Sequence, residues 1–257
     1  MLRSPLRWVG GKSRLRDTII SRFPPHICYV EVFGGAAWVL FGKDPSTSRS
    51  EVLNDLDGDL VNFWRVVKHR SAEFTEMASW LLASRELFEE WRPLPPEKDE
   101  VWRALRFYAV IRMAFGAKRT HNHFGMRRTE RPAIYWPTVR DDVERIVSRL
   151  RLVWIESEPW DQCIDRYDQP ATFFYADPPY VGSASKNYQH NMRTEDHEAL
   201  AERLARAKAK WLLSYGDHSS IVKLYRRRGI TIERVRVRYG LQGGLGPAQR
   251  ELLIRNY

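Results

Sequence analysis

Cysteine is almost missing from this chain: only Cys28 and Cys163 occur in 257 residues, each within apolar or mixed sequence. Two isolated thiols exclude a disulfide framework and a cysteine-based zinc cluster, and both are expected to be core residues. No apolar run approaches the ~20 residues a membrane-spanning helix requires, and no basic start followed by an apolar stretch marks a secretory leader. The expectation is a cytoplasmic protein with no membrane partner. Internal repeats and low-complexity tracts are absent as well. Acidic residues are in deficit, with 32 Asp and Glu against 42 Lys and Arg, a formal charge of +10. That excess favours a polyanionic partner, nucleic acid first and an anionic membrane surface second. The hydrophobic fraction of 43% is ordinary for a globular core.

A phosphate-binding loop is also lacking. Gly11-Lys12-Ser13 invites that reading, but the glycine required earlier in the pattern is replaced by Leu6, and almost nothing precedes it to form the leading strand. What stands there instead is a Gly-Gly turn presenting Trp8 and Lys12 ahead of a helix through Leu15, Ile19, Ile20 and Phe23. An indole and an ammonium so placed suit an aromatic, carboxylate-bearing ligand; an anchoring Trp beside a solvated Lys is the other reading.

The most informative stretch is Asp177-Pro178-Pro179-Tyr180, directly after the apolar run Thr172-Phe173-Phe174-Tyr175-Ala176. The run has the aromatic and β-branched content of a buried strand. Two prolines end it by fixing φ and removing ladder donors. In an open α/β sheet, ligands bind beyond the carboxyl ends of the strands. The Asp177 carboxylate, the Pro178 carbonyl and the Tyr180 ring are therefore expected to face a crevice. A carboxylate beside a carbonyl suits an exocyclic amine with two N–H donors, and the aromatic face suits a planar ring. Read blandly, Asp-Pro-Pro is only a turn.

Earlier in the chain, Ile27 to Val32 reads as a strand, Phe33-Gly34-Gly35 as a tight turn, and Ala36 to Phe41 as the start of a helix. This is the βα turn of a Rossmann-like unit. About 20 residues beyond the glycines, after a short strand at Glu51-Val52-Leu53, comes Asp55, the spacing at which an acid holds ribose hydroxyls. No arginine or serine cluster suited to pyrophosphate follows the turn, so a nucleoside without phosphates is the expected ligand. Glu156, at the end of the predicted strand Val153-Trp154-Ile155-Glu156, joins the candidate cofactor contacts.

Between Asp59 and about Leu150 the periodicity is helical. Leu60, Phe63, Trp64 and Val67 share a face that Met77, Trp80, Leu81, Phe88 and Trp91 continue past a bend. A second helix, Val101 to Phe115, carries Trp102, Leu105, Tyr108 and Ile111, and such aromatic stripes read as core. After Gly116 the stretch turns basic and irregular, with Lys118, Arg119, His121, Asn122, His123, Arg127, Arg128 and Arg131. Lys118, Arg119, Asn122, Arg127, Arg128 and Arg131 are the candidate nucleic-acid contacts, since phosphate contact and base-edge readout use these groups; a solvated loop is the alternative. Neither a carboxylate cluster nor a cysteine pair accompanies the histidines, so no metal site is expected. Beyond Gly182 comes a polar loop, then a helix capped by Thr194, a strand at Trp211 to Tyr215, a helix from His218, and two last strands forming an antiparallel edge.

With these residues in view, the chain resembles the Dam-like, alpha-class N6-adenine DNA methyltransferases over nearly its whole length. Arg7 to Lys12 is similar to that family's Lys/Arg-Trp-x-Gly-Gly-Lys motif. Glu31-Val32-Phe33-Gly34-Gly35-Ala36-Ala37 is similar to its Phe-x-Gly-x-Gly motif, and Asp177-Pro178-Pro179-Tyr180 to its catalytic motif. Ala37 replaces the last glycine, a change expected to be tolerated. The Phe115 to Arg140 segment lacks the Asn and Phe-Asn pattern of GATC-reading members, so no target sequence transfers.

The resemblance implies a Rossmann-like α/β sheet dependent on S-adenosylmethionine, formed by residues 1–58 and 151–257. An inserted, mainly helical target-recognition domain would occupy residues 59–150. It implies Trp8, Lys12, Phe33, Gly35, Asp55 and Asp177 as cofactor contacts, and Asp177, Pro178 and Tyr180 as catalytic residues acting on a flipped adenine of double-stranded DNA. A prokaryotic or phage setting and a cognate restriction endonuclease go with it. Two other functions are open: N4-cytosine methylation, which presents the same kind of amine, and a catalytically idle DNA-binding regulator that kept the fold, which would have no need of Asp177 and Tyr180.

Overall fold

A computed structural model of the chain describes residues 2–117, 123–125, 134–182, 191–238 and 248–257. In its first part lie helix α1 (Arg16–Ile20), strand β1 (Cys28–Glu31), α2 (Trp38–Gly42) and β2 (Ser50–Asn54). Helices α3 (Gly58–His69), α4 (Ser71–Ser79), α5 (Arg85–Trp91), α6 (Glu100–Met113) and α7 (Trp136–Leu150) follow. The chain then returns to the sheet through β3 (Val153–Glu156), α8 (Trp160–Tyr167) and β4 (Thr172–Ala176). It ends with α9 (Thr194–Ala205), β5 (Lys210–Gly216), α10 (Ser219–Tyr225), β6 (Thr231–Arg238) and β7 (Ala248–Arg255).

The strands form one seven-stranded sheet in the order β3-β2-β1-β4-β5-β7-β6. The first five run parallel, and β7 pairs antiparallel with both β5 and β6. From β1 the chain moves outward to β2 and β3, then returns to lay β4 on the other side of β1. The carboxyl ends of β1 and β4 therefore flank the switch point, where an open parallel sheet leaves a crevice.

Side-chain alternation divides the core in two. Tyr29, Leu53, Phe173, Tyr175 and Leu212 point to one face, where they pack with Ile19, Leu40, Phe63, Tyr108 and Ile146. Val30, Val52, Phe174, Leu213 and Leu252 point to the other and meet Ile164, Leu200 and Ile221. Helices α3, α6 and α7 thus share one apolar cluster with the first face, while α8, α9 and α10 cover the second. Because β1 and β4 are covered on both sides, β4 reads as a continuous apolar run and β1 as one up to its last residue, Glu31. A buried ionic cluster fastens the first face. Glu51 on β2 accepts from Lys43 Nζ at 2.9 Å and from Arg149 Nη2 of α7 at 2.8 Å.

Several sequence expectations need adjustment. Trp80 is 84% exposed and Trp102 47% exposed, so neither belongs to the core. Helix α4 stops at Ser79 and leaves Trp80 outside its register, while Trp102 in the first turn of α6 meets Trp91 edge-on at 6.0 Å. Thr194 is the first residue of α9 rather than its cap; the Asp196 carboxylate closes that helix end by accepting from the Arg193 N–H at 2.7 Å. Cys163 is buried and Cys28 half-buried, both as free thiols. Among the described residues, no helix is long and apolar enough to cross a membrane, and no group of three or more metal-ligating side chains gathers.

Candidate active site

Prolines at 178 and 179 end β4, and the chain bends over the carboxyl edge of the sheet at Asp177. A turn closed by the Gly11 N–H on the Trp8 carbonyl at 3.2 Å brings the amino-terminal segment to the same edge. Lys12 follows that turn and is 4% exposed, with its ammonium 2.7 Å from Asp177 Oδ2. It also donates to the Gly10 carbonyl at 2.8 Å and lies 4.9 Å from the centre of the Tyr180 ring. Of the two readings open for Lys12, the solvated one is set aside by this burial.

The other oxygen of Asp177 accepts from Ser214 Oγ at 2.8 Å, and Tyr175 donates to that same hydroxyl at 2.9 Å. Burial holds the Tyr175 phenol far above its ordinary titration range, so it remains a donor. The carboxylate is therefore oriented from both sides, by an ammonium and by a relayed hydroxyl. Tyr180 stacks on Tyr215 with ring centres 5.2 Å apart, and its hydroxyl donates to Glu251 Oε2 at 3.1 Å. A Cβ on Gly216 would come within 3.2 Å of the Tyr180 ring, so glycine there lets the ring lie close to the backbone.

A cavity of about 330 Å³ extends from this cluster along the ends of β1 and β2, large enough for a nucleoside-sized ligand. Gly35 takes φ +50° beneath the Trp8 indole, whose Nε1 would be 3.1 Å from any Cβ placed there. Asp55 ties this turn to the next. Its carboxylate accepts the Gly35 N–H at 2.8 Å and the Asp57 N–H at 2.9 Å. Burial raises its carboxyl to about 6. Ala37, at the place of the motif's last glycine, has φ +54° and is fully buried. A Cβ in that conformation costs about 1–2 kcal/mol, so the alanine carries local strain.

Trp8, Lys12, Phe33, Gly35, Asp55, Asp177, Pro178 and Tyr180 all line this cavity. Glu156 does not; its carboxylate turns to α8 and accepts the Tyr167 hydroxyl at 2.8 Å. The neighbouring Glu158 lines the cavity in its place. Asn54 holds the Glu158 backbone through two bonds, to its carbonyl at 3.0 Å and from its N–H at 2.9 Å. The proposed DNA contacts Lys118, Arg119, Asn122, Arg127, Arg128 and Arg131 lie outside the described residues.

Glu31 is a group that the sequence reading passed over as a contact. It ends β1, lines the cavity and is 2% exposed. Burial lifts its carboxyl to about 8, while the Tyr29 hydroxyl at 2.9 Å and the Leu40 N–H at 3.0 Å both donate to its Oε2. An acid closing an otherwise apolar buried strand is the signal that would have found it.

Comparison with known proteins bears on what this arrangement does. Residues 8–239 match a family described as D12 class N6 adenine-specific DNA methyltransferase. A DNA adenine methylase of Escherichia coli (strain K12) is 27% identical, over 98% of this chain and 94% of its own. The Type II methyltransferase M.CviBI of Paramecium bursaria Chlorella virus NC1A is 24% identical over 98% of both chains. The Type II methyltransferase M.MjaIII of Methanocaldococcus jannaschii is 23% identical, again over 98% of both.

Proposed function

The chain belongs to the D12 class of N6 adenine-specific DNA methyltransferases, and from that premise we propose that it moves a methyl group from S-adenosylmethionine to N6 of an adenine in duplex DNA. The observation that carries the reading is the convergence of Lys12, Asp177, Pro178 and Tyr180 at one end of a nucleoside-sized cavity at the sheet's switch point. The cavity's donor set suits the cofactor. The Trp8 indole packs on Gly35 and lines the cavity with an aromatic face, Asp55 stands where ribose hydroxyls would be held, and the Asp177 carboxylate offers oxygens toward a cation. S-adenosylmethionine supplies an electrophilic sulfonium methyl group when bound.

The remaining work falls to the chain's own residues. Adenine N6 is a poor nucleophile because its lone pair is delocalised into the ring. The Asp177 carboxylate and the Pro178 carbonyl accept its two N–H bonds, draw the nitrogen toward tetrahedral geometry and stabilise the positive charge that develops on it. Ser214 and Lys12 hold one Asp177 oxygen each, and every carboxylate oxygen retains a further lone pair for the amine. The target base leaves the stack at a cost of a few kcal/mol and lies against Tyr180, which is backed by Tyr215. Residues 59–150 serve as the target-recognition region and residues 1–58 with 151–257 as the catalytic one. A DNA substrate supports a cytoplasmic setting.

The test is incubation of the protein with unmethylated duplex DNA and methyl-labelled S-adenosylmethionine, followed by nucleoside chromatography. Label is expected in N6-methyladenine; label in N4-methylcytosine would overturn the base assignment. Asp177→Ala should abolish transfer while DNA binding persists, and near-normal turnover by that variant would refute the mechanism.

A further inference from the structure

The β6–β7 hairpin carries charge that the catalytic cluster leaves unused. Both β5 and β6 run antiparallel to β7, so the carboxyl end of β6 lies at the same sheet edge as Asp177. Gly216, the last residue of β5, is level with Glu251 and, across β7, with Val235. Arg236 to Arg238 and Ala248 to Arg250 therefore overhang that edge, by roughly 10 Å at ~3.4 Å per residue.

Arg234, Arg236 and Arg238 alternate onto one face of β6, and Arg250 lies directly opposite Arg236. Asp217 holds Arg234 at 3.1 Å. Among the described residues, no carboxylate pairs with Arg236, Arg238 or Arg250, all of which are exposed. Arg14, exposed in the turn after Lys12, donates to the Arg238 carbonyl and so joins the overhang to the active-site segment. Like charges directly opposite across a strand pair are destabilising. Here the fold places two guanidinium groups in that relation, at the edge where substrate must approach, with no acid among the described residues to offset them.

We propose that Arg14, Arg236, Arg238 and Arg250 form a phosphate-contacting rail that grips the DNA backbone beside the active site, separate from the basic segment at residues 118–131. The inference rests on DNA as the substrate. Alternate residues of a strand stand ~6.8 Å apart, twice the ~3.4 Å axial step between phosphates of one DNA strand. Guanidinium groups match phosphate oxygens in bidentate geometry. Such contacts fix register and orientation without reading sequence. The rail would hold the duplex while the target base turns into the cavity.

The experiment compares wild type with two variants of equal charge change. One removes the overhang, Arg236→Gln/Arg238→Gln/Arg250→Gln. The other removes three exposed cations at the opposite, amino edge of the sheet, Arg49→Gln/Arg151→Gln/Lys210→Gln. Affinity for an unmethylated duplex is measured across a salt series, with methyl transfer followed in parallel. The first variant should flatten the dependence of log Kd on log salt by about 2–3, at ~0.9 for each phosphate no longer neutralised. Its KM for DNA should rise at least about tenfold for the same reason, while kcat at saturating DNA and cofactor affinity stay at the wild-type level. The amino-edge variant should keep the wild-type slope. An unchanged slope in the first variant, or an equal change in both, overturns the rail. Wild type that binds duplex with the predicted slopes but transfers no methyl group overturns the methyltransferase reading and leaves the rail standing. Wild type that binds no DNA overturns both.

Discussion

Lys12→Met removes an ammonium while keeping most of its bulk, and the structure sets what this should cost. The pair it breaks is close, 2.7 Å, with side chains 4% and 18% exposed. Taking one partner from a buried ion pair costs about 3–5 kcal/mol because the other charge is left uncompensated. Asp177 keeps the Ser214 hydroxyl and some solvent, so the low end applies, about 3 kcal/mol. Asp177→Asn leaves the buried Lys12 ammonium with the Gly10 carbonyl and should cost a similar amount. The double variant contains no orphaned charge. Its cost should fall short of the sum of the singles by about 2–3 kcal/mol, as for directly coupled neighbours. Each single should lower Tm by roughly 6–12 °C, at 2–4 °C per kcal/mol for a chain of this size. Denaturant titrations give the stabilities, and a constant m-value shows that the unfolded state is unchanged. Additive single costs, or a single variant within about 0.5 kcal/mol of wild type, the range expected of an ordinary surface change, would show that the pair does not organise the site.

Three further outcomes follow from individual positions. Ala37→Gly should leave stability within about 1 kcal/mol of wild type, because relief of a left-handed alanine is offset by the added unfolded-state entropy of glycine and the loss of a buried methyl; a loss above about 2 kcal/mol would contradict this. Gly216→Ala places a methyl 3.2 Å from the Tyr180 ring, so kcat should fall severalfold while cofactor Kd, read by calorimetry, stays within a factor of two; equal losses in both would point to general distortion. Glu31→Gln tests the raised acid. The folded state binds this proton more tightly from the ordinary carboxyl value of 4.5 up to about 8, so wild-type stability should decline as pH rises through that window, by up to about 1.4 kcal/mol per pH unit. The amide variant should lose that slope and be the more stable protein at pH 8; parallel curves would refute the assignment.

Much of this protein was legible locally. The end of β4 at two prolines, the Phe33-Gly34-Gly35 turn and Asp55 each depend on the preferences of a few adjacent residues. The apolar run at β4 announced a buried strand, and the helical spacing of Leu60, Phe63, Trp64 and Val67 announced α3. Tertiary structure alone decided the rest. That Lys12 is the buried partner of Asp177 and that β6 overhangs the active-site edge follow from strand order and register, while the turn of Glu156 toward Tyr167 and the left-handed backbone of Ala37 are set by the packing around them. Trp80 and Trp102 matched an apolar spacing but fell outside the core, because a helix end and a first turn placed them there. Periodicity and turn chemistry act between residues near in sequence, so they are written in it directly. Which distant groups meet depends on how whole strands pair, and that pairing is fixed only when the two faces of the sheet are filled.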